Sequence, residues 1–172
     1  MSIKLNSSHM EIFQFFLFHP QMVRLWNFMS KTNHQLQPFH LAIPVHDLES
    51  AKNFYHHSLG CEIGRSSNEW IDFNFFGHQL VCHLSERASN EITNSVDSND
   101  IPVPHFGLVL SWNDFKTITS DLKEKKIEFL IEPTIRFENE VGEQAIAFLR
   151  DPSGNAIELK AFKNMDSLFK AK

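Results

Sequence analysis

The chain runs twice through the same order of elements, and that repetition constrains its fold more than any single motif. "FHLAIPV" sets apolar Phe39, Leu41, Ile43 and Val45 two residues apart, the period of a strand with one packed face. Asp47 is placed to cap a helix over 48–59. Leu48, Ala51, Phe54, Tyr55 and Leu59 form its apolar face, and Gly60 ends it. Strands are expected at 61–65, 69–76 and 79–84, the last two joined by a turn near Gly77. Polar residues 85–102 read as a loop between halves. "PHFGLVL" then reopens the pattern, Asn113 is the expected cap of a helix over 114–126, and strands follow at 127–132, 143–149 and 155–161. Each half is strand, helix and three strands, an α+β repeat.

The rest of the chain is less regular. Residues 1–37 are expected to form an N-terminal extension: a short amphipathic helix or a poorly ordered stretch within 10–29, then the polar linker "SKTNHQLQ". Glu11, Gln14, His19, Pro20 and Arg24 interrupt the apolar run there, which argues against a membrane span. Residues 163–172 read as a polar tail. The regular part, 38–162, divides into module one, 38–84, and module two, 103–162.

Strand parity sorts the chemistry-bearing side chains. His40 lies opposite the helix-facing residues of its strand, beside small Ala42. His105 has the same placement, beside Gly107. His83 shares the outward face of its strand with Gln79 and Val81, and Glu158 shares one with Ala156. Taken singly, each is an ordinary strand residue. Their repeated placement is what suggests a site, because imidazoles and a carboxylate arriving from different strands suit Zn, Mn, Fe(II) or Ni(II). Parity establishes a common face and leaves convergence open.

Other classes find no support. A net charge of −5 gives no footprint for nucleic acid or an anionic membrane. No GxSxG, GxxxxGK[ST] or GxGxxG pattern occurs. Cys61 and Cys82 form no CxxC pair and read as free thiols of a cytoplasmic protein. Seventeen phenylalanines against one tyrosine point to a dense aromatic core.

"FHLAIPVHDLESAKNFYHHSLG", "VPHFGLVL" and "FLRDPSGNAIELKAF" together resemble the vicinal oxygen chelate superfamily, which holds glyoxalase I, extradiol dioxygenases and bleomycin-resistance proteins. The resemblance implies two βαβββ modules forming a curled mixed sheet around a metal cup. It implies metal ligands at His40, His105 and Glu158, with His83 as a fourth ligand or a catalytic acid/base. His78 lies nearer the turn, on the other face. With three ligands the site suits a non-haem Fe(II) dioxygenase acting on a small catechol-like chelator, the favoured reading. With four it suits a glyoxalase I-type lyase or epimerase using Ni, Zn or Mn. A metal-free binder, its cup lined by Trp70 and "IDFNFF", is the third reading. Arg136 is a candidate contact for a substrate carboxylate, and His56 and His57 are candidate helix caps. A small-molecule substrate is the expected partner, and the chain is expected to act as a monomer or homodimer.

Overall fold

The structure is a computed structural model that describes residues 36–86, 92–96 and 99–170. The helix expected within 10–29 lies outside the described residues. The chain divides after Gln37, and everything below belongs to the unit that begins at Pro38.

Module one contains β1 (His40–Val45), α1 (Leu48–Lys52), β2 (Glu62–Ser66), β3 (Trp70–Phe75) and β4 (His78–Leu84). Asp47 caps α1 as expected, accepting from the Ser50 amide at 2.6 Å. The helix then widens into a π-helical turn over Asn53–Ser58, where Leu59 N–H bonds the Phe54 carbonyl. His56 and His57 stand in its last turn, as expected. Lys125 Nζ also donates to the His57 and Ser58 carbonyls, and His56 Nδ1 bonds the Cys61 carbonyl. Gly60, at φ +77°, turns the chain into β2.

Module two contains β7 (Phe106–Leu110), α2 (Trp112–Glu124), β8 (Phe129–Arg136), β9 (Gln144–Arg150) and β10 (Ala156–Phe162). Its helix starts two residues before the expected 114. Ser111, not Asn113, is the cap: its Oγ accepts from the Asp114 amide at 3.1 Å and donates to the Asp114 carboxylate at 2.6 Å. This reciprocal Ser-x-x-Asp arrangement satisfies an orphan amide of the first turn.

The sheet orders match: β1-β4-β3-β2 and β7-β10-β9-β8. In each, the first strand pairs in parallel with the last of its module, and the other pairings are antiparallel. The helix-side faces bury into one apolar core, with Ile43, Tyr55, Phe73 and Leu80 from module one and Leu108, Leu122, Ile157 and Leu159 from module two. Burying each such side chain stabilises the fold by about 1.5–3 kcal/mol. Tyr55 Oη donates to Asp151 across the modules at 2.9 Å, and Asn155 Nδ2 donates to the Pro44 carbonyl at 2.9 Å. The turn before the final strand is therefore anchored to module one.

The segment expected to be a loop contains a hairpin, β5 (Ile92–Val96) and β6 (Asn99–Val103). Its Asn, Ser and Asp residues read as turn chemistry, yet the two strands satisfy each other's backbone groups. Ile101 packs on Ile146 and Phe148, with Ile131 beside them, on the face of the second sheet away from α2.

Candidate metal centre on the outward sheet faces

Module two brings two of the expected ligands together. The β7–β10 register pairs Gly107 with Glu158, and a Cβ at 107 would run into the Glu158 carbonyl oxygen. Only glycine permits that approach. His105, just before β7, then places Nε2 3.3 Å from Glu158 Oε2, the two side chains being 29% and 14% exposed. Lys160 Nζ holds the other carboxylate oxygen at 2.9 Å. Phe148 meets the imidazole edge-on, with centroids 5.2 Å apart.

The histidine's second nitrogen decides what this pair can bind. His105 Nδ1 lies 2.7 Å from the Pro102 carbonyl, so it carries a proton. A neutral ring then presents only a lone pair at Nε2, aimed at a carboxylate oxygen. Two acceptors at that separation need a cation between them, either a proton on the ring or a metal ion held by both. An imidazole and a carboxylate are suitable donors for a divalent transition metal, so the pair fits half of such a site.

Module one places His40 at the corresponding point of β1, with Nδ1 2.7 Å from Gln79 Oε1. Register settles the other counterparts. Ile43 pairs with Cys82 in β1–β4, as Leu108 pairs with Leu159 in β7–β10. The module-one counterpart of Glu158 is therefore Val81, and His83 is the counterpart of Lys160. Val81 is 5% exposed. His83 is exposed, level with Pro44 on β1 and Trp70 on β3. It stands four residues along the strands from the level of His40, roughly 13 Å.

Among the described residues no three His, Cys, Asp or Glu side chains gather closely enough to hold a metal ion. Arg136 ends β8 with its guanidinium 5.3 Å from the centre of the Phe137 ring. Its strand position is level with Gln144 and Phe162, four residues beyond Glu158 on β10. His78 Nδ1 accepts the Phe39 amide at 3.0 Å, a structural role.

Sequence reading missed Lys160, and it missed Asp72 and Arg65, which join Gln79 on the outward face of the first sheet. The signal for Asp72 was its alternation with Ile71 and Phe73 in "WIDFNF". A cavity of about 380 Å³ opens beside His105, with Ala42, Pro44, Pro104 and Phe106 in its wall, within the size range of small-molecule sites. The two free cysteines lie in the core. Burial pushes the Cys61 thiol up to about 12. Burial, and then Asp151 and Cys61, push Cys82 higher still. Neither is a thiolate near neutral pH.

Comparisons with known proteins agree with this fold. The profile of the Glyoxalase/Bleomycin resistance protein/Dioxygenase superfamily matches residues 37–159. A glyoxalase/bleomycin resistance protein/dioxygenase from Alicyclobacillus acidocaldarius is 34% identical, with 80% of this chain and 100% of that one covered, at a TM-score of 0.69. A lactoylglutathione lyase from Agrobacterium tumefaciens (15% identity, 77% and 96% covered, TM-score 0.53) shares the fold. So does a fosfomycin resistance protein from Listeria monocytogenes (16% identity, 74% and 93% covered, TM-score 0.55). No curated protein matches significantly. No helix among the described residues is long and apolar enough to cross a membrane.

Proposed function

The chain belongs to the glyoxalase/bleomycin resistance protein/dioxygenase superfamily, and from that premise we propose that it is a dioxygenase holding Fe(II) through His40, His105 and Glu158 and opening a small catechol-like ring. The observation that carries this reading is Val81. At the module-one counterpart of Glu158 stands an apolar side chain, so the donors number two imidazoles and one carboxylate. That set leaves coordination positions for a bidentate substrate and for dioxygen. A lyase site of four protein ligands would need a donor where Val81 stands. A metal-free binder would leave the facing Nε2 and Oε2 atoms of His105 and Glu158 to a proton alone.

Within one chain the described residues gather only His105 and Glu158. We therefore assign the third ligand, His40, to a second copy of the chain in a homodimer. Bound there, the metal supplies a common anchoring point and Lewis acidity for both reactants. The chain's own residues do the remaining work. The Pro102 carbonyl keeps the His105 Nε2 lone pair turned outward. Lys160 balances the Glu158 charge and adds a positive field that favours an ionised diol. Phe148 and the cavity beside His105 offer apolar surface to a ring. Both oxygen atoms of O2 enter the ring-opened product, so no external reductant is required.

The test is anaerobic loading of the purified chain with Fe(II), then oxygen uptake over a panel of catechols. Uptake with Fe(II), and none with Ni(II) or Zn(II), is expected. Turnover of hemithioacetals by the Ni(II) or Zn(II) form would replace the dioxygenase reading with the lyase one. Mixing His40→Ala with His105→Ala protein should recover part of the activity, because a mixed dimer then holds one complete site. No recovery would place all three ligands in one chain.

A further inference from the structure

A line of four polar side chains, one from each strand, crosses the outward face of the first sheet. His40 Nδ1 on β1 meets Gln79 Oε1 on β4 at 2.7 Å. Gln79 Nε2 donates to Asp72 Oδ2 on β3 at 3.2 Å. Arg65 on β2 donates to the same oxygen at 3.3 Å, and its guanidinium lies 5.9 Å from the centre of the Trp70 ring. Asp72 is only 6% exposed, although this face turns away from the helix. A buried carboxylate requires partners, and here Arg65 supplies one from the β2 side while Gln79 supplies the other from the β4 side, leading toward His40.

We propose that Gln79, pinned by Asp72, is a positioning residue that sets the tautomer of His40 and so presents its Nε2 lone pair to the metal. The proposal rests on the reading of His40 as a ligand. The amide of a glutamine can turn over, and in the two orientations it would impose opposite tautomers on a neighbouring imidazole. Asp72 removes that freedom, because only the NH2 end can face a carboxylate. The carbonyl end must then face His40, and Nδ1 must carry the proton. Nε2 is left unprotonated, the form that binds metal. Arg65 holds Asp72 in turn, so the orientation is fixed across the full width of the sheet.

The experiment reads the tautomer directly, in metal-free protein, from the ¹⁵N chemical shifts of the His40 ring. Fe(II) affinity is measured on the same samples under anaerobic conditions. The wild type should show a single Nδ1–H form. Asp72→Asn is isosteric and removes the pin together with the charge that pairs with Arg65, so His40 should become a mixture of tautomers. Gln79→Leu should do the same. Affinity for Fe(II) should fall roughly 10- to 100-fold in both, the usual cost of losing a partner behind a metal ligand. The double variant Asp72→Asn/Gln79→Glu exchanges amide and carboxylate while keeping an acceptor toward His40. It should restore both the Nδ1–H form and the affinity, which a merely structural role would not predict. An unchanged tautomer in Asp72→Asn and Gln79→Leu would overturn the relay. A shifted tautomer with unchanged Fe(II) affinity, together with unchanged affinity in His40→Ala, would instead overturn the ligand reading beneath it. Thermal unfolding of each variant separates these outcomes from loss of fold.

Discussion

The two modules hold their histidines in different ways. His105 is fixed by a main-chain carbonyl, that of Pro102, which no side-chain substitution removes. His40 is fixed by a side-chain relay through Gln79, Asp72 and Arg65, any link of which a point mutation can break. The carboxylates differ as well: module two aims Glu158 outward beside His105, and module one has Val81 in that place. Repetition of a fold therefore transmits the position of a strand without transmitting its chemistry. Module two brings an imidazole and a carboxylate together, and module one holds a single imidazole in a side-chain relay.

The largest effect should come from the residue that separates the modules most. Glu158→Gln should leave Fe(II) content at background by elemental analysis, whereas Val81→Ala should load normally. Equal loading of the two variants would erase the distinction between the modules. Next, His83→Ala should retain its metal and most of its kcat, because its level on β4 lies roughly 13 Å along the strands from that of His40, beyond direct proton transfer. Loss of metal in that variant would make His83 a ligand and the donor set four. The glycine position offers a comparison in stability. Gly107→Ala must push β7 away from β10 and should destabilise the protein by about 3 kcal/mol in urea titrations. Its counterpart Ala42→Gly, a backbone-entropy effect, should cost about 1 kcal/mol. Similar costs would mean that the close approach at 107 relaxes freely.

The last comparison concerns pH. Cys61, Cys82 and Tyr55 all belong to module one, and burial raises each above its ordinary value. A raised folded-state value means that the unfolded chain releases its proton first. The stability tied to each group is complete below its unfolded value, near 8.5 for a thiol. It is lost as pH rises from there through the folded value, about 12 for Cys61. Each buried group should contribute a slope of up to about 1.4 kcal/mol per pH unit, and Cys61→Ala should flatten the profile between pH 9 and 11. Trp70 and Trp112 fluorescence should report one coincident transition, because both modules share a core. Separate transitions would show that the modules unfold independently.

Much of this was legible without coordinates. The 3.6-residue pattern of Phe115, Ile118 and Leu122 located α2, and the alternation in "FHLAIPV" located β1 and assigned His40 to its outward face. The cap of α2 was misread because Ser111 and Asn113 are both capping residues, and only the packed helix shows which amide is reached. The hairpin β5–β6 was missed because polar strands carry no apolar period. The choice that sequence left most open was on β4. Parity assigns a face and nothing more, and a slip of two residues preserves the face. Val81 and His83 are therefore equivalent in sequence, and the β1–β4 hydrogen-bond register alone separates them.

Sequence by itself determined the repeat, the outward-facing placement of His40, His83, His105 and Glu158, and membership of the superfamily. These follow from local periodicity, which is set by backbone geometry along one strand or helix at a time. Tertiary structure alone decided that His105 meets Glu158, that Val81 and not His83 stands at the module-one level of Glu158, and that Asp72 reaches His40 through Gln79. Each of those facts depends on register between strands that lie far apart in the chain. Register is decided by how both sheets bury their helix-side faces in one common core, a property no single segment carries.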